Sequence, residues 1–554
     1  MVNEKTREEI LKFVLRNAVF YGGCANPGAV LGKLISTDNS LKADIPALRK
    51  MIDEVIKEVN AMSADEQKSK LEELAPELLV KEKKEEGGLS ELSGAEDGKV
   101  VTRFAPSPTG PLTLGQFLRA VMLSYAYAKK YNGKFILRIE DTDSKKIKLE
   151  FIHWMKEDLK RCGIEPDQIV HQSDRMEIYY DHAKKLIDGG KAYICTCSAE
   201  SFRDLKNQMK DCPCKNKILD DNLNDWKKMK DGNFNDGEAV LRLNMSMQDK
   251  NPVMRDPPIF RVNKGSHPLQ GTKYNAWPLY NLSCAVDDYL LGITHVFRGK
   301  EHEHNTAVQN IIFDFFGWKK PVVLNFGMIR FPGTVQHSRE MRELVDSGKA
   351  TGWDDPQLPT IRALLRRGFT PEALKSFALS CGLSKNDIQS SWENLEAANK
   401  KIIDHIANRY MIVKDPVKIP IKNAPEISFI EEPLHPDKPG KKKIPVDLES
   451  IFISGDDFKK LKGKNVRLKG LFNIKLDTVS EYSGNEITRE MPKIQWVSVP
   501  NVNVNIIYPG KTEEAIGENS MKNLSVDDII QMERVGFGRI DKKEEMIDIV
   551  FGHK

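Results

Sequence analysis

The spacing of apolar positions changes along the chain, and each change marks a predicted element. Over 1–97 apolar residues recur among charged ones at helical spacing. One amphipathic helix opens at Thr6-Arg7-Glu8-Glu9 and runs to Val19. A second covers 46–59, where Leu48, Ile52, Val55 and Ile56 share a face and Pro46 suits the first turn. Residues 81–98 are charged and glycine-rich, which predicts a linker. The pattern then reads strand, loop, helix, strand. Residues 100–104 are β-rich, and 105–111 hold three prolines and a glycine, so they form a loop. From Leu114 onward Phe117, Leu118, Val121, Met122, Tyr125 and Ala128 recur at helical spacing. Lys129 and Lys130 occupy the last turn, and Asn132-Gly133 stops the helix. Residues 134–139 form the next strand, with Glu140, Asp141 and Asp143 at its carboxyl end.

Helices follow over 150–163 and 174–187, the second ended by Gly189-Gly190. Segments 239–243, 253–255 and 259–262 read as short strands of an insertion. Residues 287–292 read as a turn, 294–298 as a buried strand, 303–316 as a helix with Val308, Ile311, Ile312 and Phe315 inward, and 322–326 as another strand. The pattern is helical over 339–410, with clear units at 359–368 and 371–382. From 413 onward short alternating runs and prolines predict an all-β region of barrels. The fold class is therefore α/β: a doubly wound Rossmann-type core, with an N-terminal helical extension and a C-terminal all-β barrel region. The segments are 1–97, 98–192, 193–275 (the insertion), 276–335, 336–412 and 413–554.

Open α/β sheets place ligands at the carboxyl ends of their strands, and a helix N-terminus there favours phosphate. Gly115 lets a ligand approach the backbone, so an anion is expected at Gly115 and a cation or ammonium group at Glu140. At 554 residues the chain is too long for one core, and its net charge of +4 fits a polyanion partner held by a local patch without demanding one. Arg362, Arg366, Arg367, Lys441-Lys442-Lys443 and 459–464 are candidates for phosphate contacts, against the blander alternative of solvated basic faces. No apolar run approaches membrane length, and the first residues lack a signal-peptide core, which predicts a cytoplasmic protein. Of eight cysteines, four cluster as Cys195-x-Cys197 and Cys212-x-Cys214. In a reducing compartment these four thiolates suit one tetrahedral zinc, the alternative being four metal-free cysteines. His302 and His304 do not share a helix face and are not read as a metal pair; His302 faces the expected nucleotide site.

The stretches TRFAPSPTG, PLTLGQ and FILRIEDTD resemble the catalytic core of class I glutamyl-tRNA synthetases, and YNLSCAVDD (280–288), HVFRGKEH (295–302) and TGWDDPQLPTIRALLRRGF (351–369) look like the archaeal branch of that family. The resemblance covers about 100–410 and extends to the C-terminal part by general character. It implies a class I synthetase core, an acceptor-end-binding insertion and a β-barrel anticodon-binding region. It implies a monomer that joins glutamate to the 3′ terminal adenosine of tRNA-Glu, and of tRNA-Gln in some members, with ATP and Mg2+. The family's first signature falls on Pro106, Ser107, Pro108, Thr109, Gly110, Pro111, Leu112, Thr113, Leu114, Gly115 and Gln116, the ATP-binding stretch. Catalytic positions carried over are Thr113, Gly115, Gln116, His337, Ser338 and Arg339. Arg103 and Arg298 match positions that meet the substrate's side-chain carboxylate and neighbouring groups. Ala105, Ser107, Glu140, Tyr280 and Asn281 match the rest of the amino-acid pocket.

Two departures matter. Thr113 and Gln116 stand where the family carries histidine, and neither takes a positive charge. Where a lysine-serine-rich loop is expected the chain reads Val335-Gln336-His337-Ser338-Arg339-Glu340. These departures leave open a non-catalytic paralogue that binds tRNA or glutamate. A glutaminyl-specific relative is a third alternative, against which Arg298 argues, since a cation favours a carboxylate over an amide.

Overall fold

The computed structural model describes residues 4–20, 23–37, 44–79 and 89–554. The chain divides into two compact units, Met1–Glu86 and Gly87–Lys554. The first is helical. Helices Glu4–Phe20, Pro27–Thr37, Ile45–Asn60 and Ala64–Leu74 bury Val14, Leu15, Ile52, Val59 and Leu71 against one another. Of the expected linker, residues 81–88 lie outside the described residues. Residues 89–98 do not behave as linker. Leu92 is buried with Leu123, Tyr127, Phe297 and Phe326, and its backbone N–H donates to Tyr131 Oη at 2.9 Å. Composition missed this because a few apolar residues in a polar run, Leu92 with Leu89 and Ala95 beside it, are enough to anchor the segment.

In the second unit β1 (Val101–Phe104), β2 (Lys134–Ile139) and β3 (Gln168–His171) are parallel neighbours in that order. Between β1 and β2 the helical run Leu114–Gln116, Phe117–Val121 and Met122–Lys130 is continuous, its middle turn widened to π geometry. The chain then leaves the core for a four-stranded antiparallel sheet of β4 (Ala192–Cys195), β5 (Val240–Leu243), β6 (Pro258–Val262) and β7 (Ala276–Pro278). The strand expected at 253–255 is instead a single turn, Pro252–Met254. Pro252 starts it, and the Asn251 side chain accepts from the Val253 N–H at 3.1 Å. The core resumes with the parallel pair β8 (His295–Gly299) and β9 (Val322–Phe326). Thr294, just before β8, donates its N–H to the Val101 carbonyl at 2.9 Å and accepts from the Val101 N–H, so β8 runs beside β1. The order β3-β2-β1-β8-β9 reverses direction between β1 and β8. That reversal is the switch point at which α/β sheets bind ligands.

Two expectations around this return are corrected. Residues 287–290 are not a turn; they complete the helix Tyr280–Leu290, and Asp287 and Asp288 are buried in it. Acid residues suggest a turn only when solvent is their partner, and here arginines are. On the helix Glu303–Phe316 the buried face is Val308, Gln309, Ile312 and Phe313, whereas Ile311 is exposed.

The helices Ile361–Arg366, Pro371–Ser380 and Trp392–Ile403 lead into the C-terminal part, which is mostly strand. Its seven-stranded sheet begins and ends with Asn408–Tyr410 and Ile412–Lys414, neighbours in sequence, so the sheet nearly closes into a barrel. The basic residues proposed for phosphate are largely structural here. Arg362 pairs with Glu157 at 2.9 Å, Arg366 with Asp541 at 2.7 Å, and Arg367 donates to the Gly552 carbonyl. Lys442 is buried against Glu518 at 2.8 Å, while Lys441 and Lys443 remain exposed. No helix among the described residues is long and apolar enough to cross a membrane.

Candidate active site

A cavity of about 570 Å3 opens at the switch point. Its walls are the carboxyl ends of β1, β2 and β8, the N-terminus of the helical run at Leu114, and the segment 334–341. Arg103, Ala105, Pro106, Ser107, Thr113, Leu114, Gly115, Gln116, Glu140, Tyr280, Arg298, His302, His337 and Ser338 all line it, gathered from stretches more than two hundred residues apart in the chain. A Cβ added to Gly115 would meet nothing within 4 Å, so the backbone there is open to a ligand.

Several expected residues lie elsewhere. Asn281 stands behind the wall, its Oδ1 accepting from Gln309 Nε2 at 3.3 Å. Leu112 is packed in the core, with its carbonyl accepting from the Ile361 N–H at 2.9 Å, and the Leu114 N–H donates to the Pro359 carbonyl at 2.8 Å. The stretch 351–369 thus braces the loop after β1 from outside. Pro108, Thr109, Gly110 and Pro111 do not line the cavity; Pro108, Gly110 and Pro111 are buried elsewhere in the loop, Gly110 beside Trp353. Arg339 points away; its side chain is 89% exposed and pairs with Glu343 at 3.1 Å. Arg342, three residues on, instead donates to the Thr109 carbonyl and ties the helix Ser338–Asp346 to the loop after β1. Helical spacing from Arg339 would have pointed to it.

Thr113 and Gln116 cap the helix reciprocally. The Gln116 N–H donates to Thr113 Oγ1 at 3.3 Å, and the Thr113 N–H donates to Gln116 Oε1 at 3.1 Å. This arrangement holds the Gln116 side chain at the cavity edge with its amide NH2 left as a donor. Arg119 in the π turn also lines the cavity, its guanidinium spent on the carbonyls of Gly327, Gly382 and Ser384.

Beneath the cavity lies a buried charge cluster that local sequence does not reveal. Arg138, fully buried on β2, reaches Asp288 at 2.6 Å and Glu140 at 2.9 Å. Arg103 reaches Asp288 at 3.2 Å, and Arg175 reaches Asp287 at 2.7 Å. Burial alone would raise the Asp288 carboxyl, but Arg103 and Arg138 outweigh it and hold it at about 2. Asp288 in turn raises Arg103 against the cost of its burial. Arg138 is shared among three acids, so at Glu140 burial wins and pushes that carboxyl up despite the arginines. A buried acid short of positive charge, facing a cavity, suits an ammonium group. Burial pushes the His302 imidazolium down, which keeps that ring neutral against Tyr280, 5.5 Å away between centroids.

Arg298 differs from its neighbours. It is 5% exposed, no carboxylate pairs with it among the described residues, and its Nε–H has no protein partner. It donates through Nη1 to Gln309 Oε1 at 2.9 Å and through Nη2 to Thr306 Oγ1.

In the insertion the four clustered sulfurs lie within 4.8 Å of one another. Cys195–Cys212 is 3.6 Å, Cys197–Cys212 3.5 Å and Cys197–Cys214 3.8 Å. A Zn–S bond of about 2.3 Å separates tetrahedral sulfurs by about 3.8 Å, so the set fits zinc. The Cys195 thiol is held down to about 5 by a hydrogen bond from Cys212, with Arg242 assisting against burial.

The family model for the catalytic domain of tRNA synthetases class I (E and Q) matches residues 99–405, and that for the anticodon-binding domain of the same group matches 407–493. A glutamate–tRNA ligase of Thermococcus kodakarensis is 42% identical over 580 residues, spanning 100% of both chains. One of Pyrococcus abyssi is 44% identical over 570 residues, spanning 98% of this chain and 99% of its own. A solved glutamate tRNA ligase from Elizabethkingia meningosepticum overlaps with a TM-score of 0.43 at 20% identity, over 56% of this chain and 70% of that one.

Proposed function

The chain belongs to the class I tRNA synthetases for glutamate and glutamine, and from that premise we propose that it is a glutamate–tRNA ligase of the archaeal type. The observation that carries the choice of amino acid is Arg298, a buried guanidinium at the mouth of β8 without an acid partner among the described residues. An amide cannot compensate such a charge, and a carboxylate can. The glutamate side chain docks on Arg298, its ammonium on Glu140, and Arg103, Ser107 and Tyr280 close the pocket around it.

The α-carboxylate then attacks the α-phosphorus of ATP, in the presence of Mg2+, and pyrophosphate leaves. A ribose hydroxyl of the 3′ terminal adenosine of tRNA-Glu attacks the activated carbonyl, and AMP leaves. The chain contributes mainly position and charge. At the helix N-terminus Leu114–Gln116 the Gly115 N–H is the one left to phosphate, since those of Leu114 and Gln116 are spent on the Pro359 carbonyl and Thr113 Oγ1. Gln116, His337 and Ser338 add donors. On the 334–343 segment Arg339 faces solvent, whereas Arg342 acts by position, tying the helix Ser338–Asp346 to the loop after β1 through the Thr109 carbonyl. Replacing Arg339 with alanine is expected to change pyrophosphate exchange less than about twofold, as for an exposed pair. Replacing Arg342 is expected to lower it about tenfold, the worth of one charge-assisted hydrogen bond. Equal effects would refute this division.

Zinc bound by Cys195, Cys197, Cys212 and Cys214 would fasten the end of β4 to the turn Pro213–Asn216. Elemental analysis should find about one zinc per chain, lost in Cys212→Ser; its absence from protein prepared without chelator would count against the site.

The deciding experiment is aminoacylation of matching tRNA with labelled glutamate, ATP and Mg2+, with glutamine in parallel. Glutamate charging is expected. Retained tRNA binding without charging would favour a binding module, and charging by glutamine alone would overturn the role given to Arg298.

A further inference from the structure

The way Arg298 is held carries a consequence for specificity. Five guanidiniums gather under or around the cavity, and three of them are neutralised by acids: Arg103 by Asp288, Arg138 by Asp288 and Glu140, Arg175 by Asp287. Arg119 has all three of its nitrogens spent on the carbonyls of Gly327, Gly382 and Ser384. Arg298 is also gripped by neutral groups, but through only two of its three nitrogens. Gln309 is 5% exposed on the helix Glu303–Phe316, and an arginine has only donors, so the atom at 2.9 Å from Nη1 is the Gln309 carbonyl oxygen. The Gln309 NH2 then points to Asn281 Oδ1 at 3.3 Å, on the helix Tyr280–Leu290. Thr306 Oγ1 accepts from Nη2, and its hydroxyl donates to the His302 carbonyl at 3.4 Å. The guanidinium is thereby oriented from two sides without its charge being cancelled, and its Nε–H stays free.

We infer that Gln309 is a positioning residue for amino-acid choice: it fixes Arg298 toward the cavity while leaving its positive charge for the substrate's side-chain carboxylate. The inference rests on the reading of Arg298 as the partner of that carboxylate. A glutamate at 309 would be nearly isosteric, and Asn281 can turn its amide to donate to it. It would form a charge-assisted pair with Arg298 and present a negative charge to the incoming carboxylate. Glutamine as substrate would not meet that repulsion. The discrimination would fall because the pocket had become neutral, not because it had changed shape.

The test is steady-state aminoacylation by the full-length chain and its Gln309→Glu and Gln309→Met variants, with glutamate and glutamine measured separately. Gln309→Glu is expected to raise KM for glutamate roughly ten- to hundredfold with kcat within about threefold, and to lower the glutamate-to-glutamine ratio of kcat/KM by a similar factor. Gln309→Met removes the oriented acceptor but adds no charge, so KM for glutamate should rise by less and the ratio should hold. An unchanged glutamate KM in a Gln309→Glu protein of normal melting temperature overturns the inference. So does a fall in kcat alone, or a Gln309→Met variant that loses discrimination equally. Arg298→Gln run alongside separates the two levels: if it leaves glutamate charging intact, the reading of Arg298 itself fails.

Discussion

Arg298→Gln is expected to lower kcat/KM for glutamate by about 10²- to 10³-fold, the effect of removing one partner of a desolvated charge pair. The loss should fall mainly on KM, because the side-chain carboxylate is bound alike in the ground state and the transition state. Glutamine should gain relative to glutamate, since the new amide can pair with the substrate's amide and no longer offers a charge. Arg298→Lys should recover only part of the loss. An ammonium supplies charge without the planar fork, and it cannot hold Gln309 and Thr306 while also facing a carboxylate. The measurement is charging of tRNA with each amino acid across a range of concentrations. A variant whose glutamate KM is unmoved would remove Arg298 from the pocket.

The pocket was legible in the sequence to the extent that local pattern fixes it. The strands at 101–104 and 134–139 and the helix between them follow from short-range periodicity, and the ends of strands are where ligands go, so Glu140 and Gly115 follow from pattern alone, while Arg298 is pointed to only by the family resemblance. What failed depended on distant partners. Asp287 and Asp288 looked like turn residues, because nothing nearby in sequence announces the arginines at 103, 138 and 175 that bury them. Arg366 looked like a phosphate ligand until Asp541 met it from a strand of the barrel. The cysteine spacing supplied four sulfurs, but their convergence requires the turn at Pro213–Asn216 to fold back on β4.

Asp288→Ala should cost about 3–5 kcal/mol of stability, because it leaves buried Arg103 with no carboxylate and deprives Arg138 of its shortest ion pair. Arg103 and Arg138 have no water to turn to, at 4% and 0% exposure. Cys284, which sits between them with its Sγ 3.3 Å from Arg138 Nη2, cannot replace a carboxylate, since burial pushes its thiol up to about 11. The pH dependence has a definite sign. The Asp288 carboxyl is depressed in the folded chain to about 2, below its ordinary 3.8. Its contribution is therefore complete above about pH 4 and is lost as the pH falls toward 2. Wild-type stability should decline through that window, and Asp288→Asn should decline less steeply there while starting lower at neutral pH. Glu140 works in the opposite direction. Burial raises its carboxyl, so at neutral pH its charge is a cost the folded chain carries until an ammonium arrives. Thermal melting followed between pH 2 and 7, with and without glutamate, separates the two acids. Asp288 governs the melting temperature of the free protein, and Glu140 governs how far glutamate raises it. Equal melting temperatures for wild type and Asp288→Ala at neutral pH would mean that the arginines find other partners and that the cluster does not hold the floor of the pocket.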